Sequence, residues 1–253
     1  MKRLLKELFF RLALPTPLPA DRAVILMYHS VSDRADYFSS VSPEAFGEHM
    51  KYLADKKYEV ITLGELVRRL QSKEPLGGAV VITFDDGYED NLTTVYPVLK
   101  QYGFPATIFV TTGLVGKQDK RQMQMLTADQ LRTLESSGLF SIEPHTASHP
   151  RLSKLAKDAA REEIEQSRTT LETLLGKKCT TFAYPYGDYN AETLEVVRAA
   201  GFDAAVTVVE GTVSSTSNLV ELPRVSIDRS TTPTQLRGKL STAVDRYERL
   251  KLW

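Results

Sequence analysis

Ala79-Val80-Val81-Ile82-Thr83-Phe84-Asp85-Asp86-Gly87-Tyr88 joins a short apolar run to two adjacent carboxylates. A run without polar alternation reads as a strand buried on both faces, the pattern of a parallel sheet covered by helices. The acids stand where that strand must end. Like charges repel and burial penalises both, so the pair is tolerated most easily where a cation or a proton is shared. His145-Thr146-Ala147-Ser148-His149 supplies a second cluster of ligand-type side chains. Two imidazoles and one carboxylate make a metal site with open positions. The spare carboxylate is then a general base for water activated by the ion.

Outward from this strand, strands and helices alternate along the chain. Strands are predicted over 23–28, 59–61, 79–84, 106–110, 139–143, 181–183 and 204–209, with 219–225 as one more candidate. Between them, Ser42-Pro43-Glu44 starts a helix, and Thr62 with Glu65 forms a capping box for a helix through Leu70. A helix over about 91–102 ends at Gly103 and Pro105. Thr127 with Gln130 caps another, stopped at Gly138; a long helix over 158–175 stops at Gly176; Asn190 caps the helix ending at Gly201. This βαβα order predicts an α/β fold, most economically a distorted (β/α) barrel of about seven parallel strands in one domain from about residue 21. A doubly wound open sheet is the rival.

The bulk numbers agree with an ordinary globular chain. Of 253 residues, 42% are hydrophobic and 25% charged, and the formal net charge is zero, which gives no sign of a nucleic-acid partner. The single cysteine, Cys179, excludes an internal disulfide and reads as a structural thiol. No apolar run reaches the length of a membrane span. Residues 1–14 are basic and apolar, with Leu4, Leu5, Leu8 and Leu12 at helical spacing, and Glu7 and Arg11 spoil a signal-peptide core. Two readings stay open: a helix docked on the protein's own body, or peripheral contact with an anionic membrane. Pro15, Pro17 and Pro19 then make an extended linker. The weak signal segment favours the cytoplasm or the inner membrane surface.

On a parallel barrel the strand C-terminal ends share one rim, where active sites of such folds lie. Tyr28-His29, Asp85-Asp86, His145, Tyr184-Pro185-Tyr186-Gly187 and Arg224 all follow predicted strands, so five separated clusters converge there. Each has a plainer reading. Asp86-Gly87 is also turn chemistry, and acids at strand ends also serve as phosphoacceptors. Pro150 disfavours helical backbone at His149, which suggests a tight loop around an ion rather than a helix face. Of the four histidines, His49 lies mid-helix and His29 ends a strand. His29 either fills the rim or supplies a proton to a leaving group. The aromatic turn suits sugar rings or simple packing. Arg224 is a surface charge or the ionising partner of a buried aspartate.

TFDDGY, HTASHP and FAYPYG, in that order, resemble the polysaccharide deacetylase family, also called the NodB homology family, over about 79–253 with the motifs lying within 79–225. The opening Ile25-Leu26-Met27-Tyr28-His29-Ser30-Val31 is similar to the subgroup of poly-N-acetylglucosamine deacetylases with an early Tyr-His motif. The resemblance implies a metal-dependent hydrolase that removes N-acetyl groups from amino-sugar polysaccharide or oligosaccharide. A divalent ion, usually zinc, maps to Asp86, His145 and His149. Asp85 maps to the general base, Tyr186 to the backbone donor for the oxyanion, and His29 to the acid. Two departures stand out. Ala183 occupies the place of the family's third-motif arginine, and no histidine follows His149. Arg224 is the candidate to replace the missing guanidinium beside Asp85. Glu143-Pro144 also stands where a glycine-serine pair is usual, which implies a changed loop or groove near the ion. An acetyl-xylan-type O-esterase, a non-catalytic carbohydrate-binding relative and an iron oxygenase with the same facial triad are the alternatives.

Overall fold

The computed structural model describes residues 2–12, 18–34 and 37–250, with side chains from residue 7 onward; Pro15 and Pro17 of the expected linker, and the side chains of Leu4 and Leu5, lie outside it. In chain order the elements are α1 (Lys2–Leu12), β1 (Arg22–Tyr28), α2 (Pro43–Asp55), β2 (Val60–Ile61), α3 (Leu63–Gln71) and β3 (Val80–Phe84). A π-helical turn (Asn91–Val95) runs into α4 (Tyr96–Tyr102), followed by β4 (Ala106–Val110), α5 (Ala128–Ser136), β5 (Phe140–Pro144) and α6 (Lys157–Leu175). Then come β6 (Thr181–Ala183), α7 (Ala191–Ala199), β7 (Ala204–Val206), β8 (Val213–Ser214), β9 (Val225–Ser226), α8 (Pro233–Lys239) and α9 (Ala243–Leu250). The helices start where the capping chemistry lies. Ser42, Thr62, Thr127 and Asn190 each accept a backbone N–H of the first turn. The Thr127–Gln130 box is reciprocal. At Thr62 only half of the expected box forms, because the Glu65 carboxylate is taken by Arg68 and Arg69.

β3 is the middle of a mostly parallel sheet. It pairs with β1 along its whole length, from Val24↔Val80 to Tyr28↔Phe84. Its other edge is shared: β2 takes Val80 and Val81, and β4 takes Thr83 and Phe84. β4 carries β5 beyond it. The far edge of β1 is shared by β9, parallel, and β8, which is antiparallel and so departs from the all-parallel expectation. β6 and β7 pair in parallel, and Val206 bridges to Leu222, three residues before β9. The expected strand over 219–225 therefore does not form as one element. Asn218 caps a tight 3-10 turn at Leu219–Glu221, Pro223 has no N–H to donate, and only Leu222 and β9 join the sheet. The strand expected over 204–209 ends at Val206, after which the backbone leaves for the rim.

Between β5 and β6 the barrel closes through side chains. The buried Glu143 carboxylate accepts the backbone N–H groups of Thr180 and Thr181, both at 2.9 Å, and Lys177 Nζ and Ser141 Oγ hold it from the other side. One residue pair higher, His145 Nδ1 lies 2.7 Å from the Ala183 carbonyl.

Alternation along the strands separates two cores. Val80, Ile82 and Phe84 face outward to α2, against Phe46 and Met50. Ala79 and Val81 face a narrow interior with Ala23, Ile25, Ala183, Ala204 and Val206, closed at one end by Leu63, Leu66 and Val67 of α3. Cys179 is buried, and burial pushes its thiol up to about 12, so it is an inert packing residue. His49 faces inward, with Tyr28 Oη 3.2 Å from its Nδ1. α1 docks on the chain's own C-terminal helices: Phe10 is buried and stacks on Tyr247, and Glu7 accepts from the Thr232 hydroxyl. Gly238 permits that approach, since a Cβ there would overlap the Phe10 ring. Leu8 and Leu12 remain exposed. No described helix is long and apolar enough to cross a membrane.

Candidate active site

The period of two carries β3 into the site. Val81, Thr83 and Asp85 point into the barrel, so Asp85 forms its uppermost inner layer. Arg224, which lies just before β9, has no exposed surface and meets Asp85 with both terminal nitrogens, Nη1–Oδ1 2.6 Å and Nη2–Oδ2 2.7 Å. Its Nε donates to the Thr207 carbonyl and Nη1 also reaches Thr83 Oγ1. This is a fork-to-fork pair. Burial opposes a charge on Asp85, but Arg224, with His145 and His29, outweighs it and holds the carboxyl below the usual carboxylate range. Each Asp85 oxygen keeps a second lone pair for another proton.

Asp86 turns the other way. Its φ of 74° throws the side chain off the strand line and toward the cleft. The β5 extension brings His145 to it, with Nε2 3.7 Å from Asp86 Oδ1, and His149 Nε2 is 3.3 Å from the same oxygen. The three candidate ligand atoms all lie within 4.8 Å of one another, so one ion can touch all three. The donor chemistry fits a divalent cation. A carbonyl only accepts, so His145 must carry its proton on Nδ1 toward Ala183, which leaves the Nε2 lone pair facing Asp86. Burial pushes the His145 imidazole down to about 4, so it is neutral at pH 7 and free to ligate.

The loop bearing the histidines is clamped on both sides. Thr112 N–H and Gly113 N–H donate to the carbonyls of Thr146 and Ala147. Gly113 is required there, because a Cβ would lie 2.6 Å from the Ala147 oxygen. From α6, Glu163 accepts from Ala147 N–H, Ser148 N–H and Ser148 Oγ. Thr146 and His149 have φ of 67° and 61°, so the segment is a tight loop and not a helix. Tyr186 sits in the turn after β6 with φ 59°. Its ring is 45% exposed, stands edge-on to His149 at 4.5 Å between centroids, and lies under the Arg151 guanidinium.

His29 follows β1 at the same height as Asp85 follows β3, fixed by the Tyr28↔Phe84 register and by Asp85 N–H to Tyr28 O. His29, Asp85, Asp86, His149 and Tyr186 line one cleft of about 510 Å³, and the buried His145 and Arg224 stand behind Asp86 and Asp85. The cleft's other wall was not foreseen. Tyr37 lies edge-on to His29 and Tyr88, and Arg121 stacks on Tyr37 at 4.5 Å. Asp119 and Thr111 also line the cleft, and Val208 does so against Gly187, beside Tyr186. Tyr88 belongs to the quoted motif, but Tyr37 and Arg121 sit in irregular loops whose sequences carry no period. A cleft of this volume, with an aromatic lip and a floor of paired acids and imidazoles, accommodates a sugar ring and acid–base chemistry on it.

Comparison with known proteins agrees with that chemistry. Residues 72–205 match the family model described as polysaccharide deacetylase. A Bacillus subtilis chain named for the same family, YxkH, is 36% identical over 214 residues, covering 84% of this chain and 72% of that one. The poly-beta-1,6-N-acetyl-D-glucosamine N-deacetylase of Staphylococcus aureus is 31% identical over 196 residues, covering 74% and 68%. Among solved structures, the Streptococcus pyogenes deacetylase PplD in complex with acetate superposes with a TM-score of 0.79 at 29% identity, over 89% of this chain and 100% of that one. Its fold is the barrel found here, and with a family match over more than half of its length this chain belongs to the polysaccharide deacetylase family.

Proposed function

We propose that this chain hydrolyses the N-acetyl groups of amino-sugar polysaccharide or oligosaccharide, with a zinc-type divalent ion held by Asp86, His145 and His149. The observation that carries the proposal is the convergence of those three ligand atoms within 4.8 Å, beside His29 and an Asp85 whose carboxyl is held below the usual range. The ion, when bound, supplies a Lewis acid that polarises the acetyl carbonyl and acidifies water. The remaining work belongs to the chain. Asp85, kept deprotonated by Arg224, takes a proton from the attacking water. The backbone N–H of Tyr186 donates to the oxygen on which negative charge develops. His29 gives a proton to the departing amine, which would otherwise leave as an unstable anion. The products are acetate and a free amino sugar. The part-exposed Tyr186 ring offers apolar surface on which the sugar rests.

The relative with 31% identity is named for a β-1,6-linked N-acetylglucosamine polymer, and that polymer is the first substrate to try. The experiment is acetate release from a panel of N-acetylglucosamine oligomers, with chelator and with zinc restored. Zinc-dependent release from one or more oligomers is expected. Release that ignores the chelator, or none from any oligomer at saturating zinc, would overturn the reading.

A further inference from the structure

Among the described residues, His29 Nδ1 is buried without a hydrogen-bond partner, neither carboxylate nor carbonyl. Acid and base histidines are ordinarily oriented by such a partner on the second ring nitrogen. Something else must hold the ring in place.

The backbone around His29 is pinned from the segment that follows the acidic pair. Asn91 is fully buried at the head of the π-helical turn, and its Nδ2 donates to the His29 carbonyl at 3.2 Å and to Asp90 Oδ1 at 3.0 Å. The other Asp90 oxygen accepts from Ser30 Oγ, and its carboxylate also accepts from the backbone of Val31. Three consecutive residues, 29–31, are therefore held by two neighbours, Asp90 and Asn91. Ser30 and Ser32 reach on to Ser40, and Val41 N–H donates to Ser30 O, so the loop that presents Tyr37 to the ring edge is tied to the same knot. π-Helical turns inserted in α-helices cluster at functional sites, and here the turn begins five residues after Asp86 on the same short connection.

We infer that Asn91 and Asp90 are positioning residues: they set the distance between the proton donor His29 and the Asp85–Asp86 pair, replacing the absent partner on the imidazole. The inference rests on the reading of His29 as the acid. It ties donor and base to one mechanical unit, since both ends of the knot start from adjacent strands, β1 and β3.

The test separates leaving groups. An amide nitrogen needs a proton to depart, whereas 4-nitrophenolate leaves without one. With the full chain loaded with zinc, Asn91→Ala should lower kcat on an N-acetylglucosamine oligomer by about 10- to 100-fold, with KM changed less than about 2-fold. Its rate on 4-nitrophenyl acetate should stay within about 3-fold of the unsubstituted chain, because that reaction does not use the acid. In a His29→Ala background the Asn91 change should add nothing further, as for two residues acting through one another. Ser30→Ala, a milder cut in the same knot, should shift the amide-to-ester ratio in the same direction and serves if Asn91→Ala does not fold. Equal loss on both substrates, or full additivity with His29→Ala, would overturn the inference. Absence of amide cleavage by the unsubstituted chain would instead overturn the functional reading.

Discussion

Asp85 and Arg224 show how far a single pair of residues constrains the chemistry. The guanidinium holds both carboxylate oxygens in a buried place, so neither partner is dispensable alone. Arg224→Leu would strand a buried charge and should cost about 3–5 kcal/mol, read as a fall in the urea midpoint. Adding Asp85→Leu should return much of that loss. A single-variant cost below about 1 kcal/mol would show that water reaches the pair. Asp85→Asn keeps the shape and removes the base; zinc content should stay the same while kcat falls about 10²- to 10⁴-fold. Zinc analysis beside the rate distinguishes a lost base from a lost ion. At this scale the sequence was most legible, because the residues proposed as ligands, base and acid are concentrated in short motifs at strand ends that the fold brings together. Arg224 was legible only as a candidate, since nothing in Pro223-Arg224 says which acid it will meet. Glu163 and Asn91 were not legible at all: they act on the backbone of loops that are distant in sequence.

At the scale of elements, the long segments followed their patterns, and the short ones followed their neighbours. β1 and β3 carry continuous apolar runs, and α6 ends at a glycine in the left-handed conformation (φ 67°), as its sequence requires. β8 and β9 are two residues each, too short for any period to show, and tertiary pairing alone decides them. The π-helical turn is likewise invisible in a sequence that reads as ordinary helix. The packing of α2 on β1 has a pH signature. His49 is buried, and burial pushes its pKa down from 6.5 to about 4. Between those values the unfolded chain binds a proton that the folded chain does not, so stability falls as pH drops from about 6.5 to about 4, by on the order of 3 kcal/mol. His49→Gln, which keeps an acceptor for the Tyr28 hydroxyl and does not titrate, should flatten the urea-midpoint profile across that window. An unchanged slope would assign the acid sensitivity to other groups.

For the whole molecule, the first helix and the last two form a unit on the barrel's flank, and none of their described residues lines the cleft. Phe10 is its key, set into the gap that Gly238 leaves and stacked on Tyr247. Phe10→Ala should cost about 3 kcal/mol if α1 folds cooperatively with the rest. Acetate release at low temperature should be unaffected. Early proteolytic loss of the first twelve residues, with the main unfolding transition unmoved, would show instead that α1 is an independent appendage. The barrel and its rim were anticipated from strand order, and docking of the first helix on the chain's own body was one of the two readings of residues 1–14; the helices it docks on were not anticipated, because 226–250 offered no βαβ continuation to follow.

The closure between β5 and β6 carries a consequence for how the protein can drift. Main-chain ladders are indifferent to which amino acids they join, so most of this barrel tolerates new side chains without losing its circumference. At the joint between β5 and β6, where the Glu143 carboxylate and the His145 imidazole stand in for the ladder, that indifference ends: two side chains complete the ring there, and one of them, Glu143, does not line the cleft. A residue that touches no reactant thereby becomes as hard to replace as one that does.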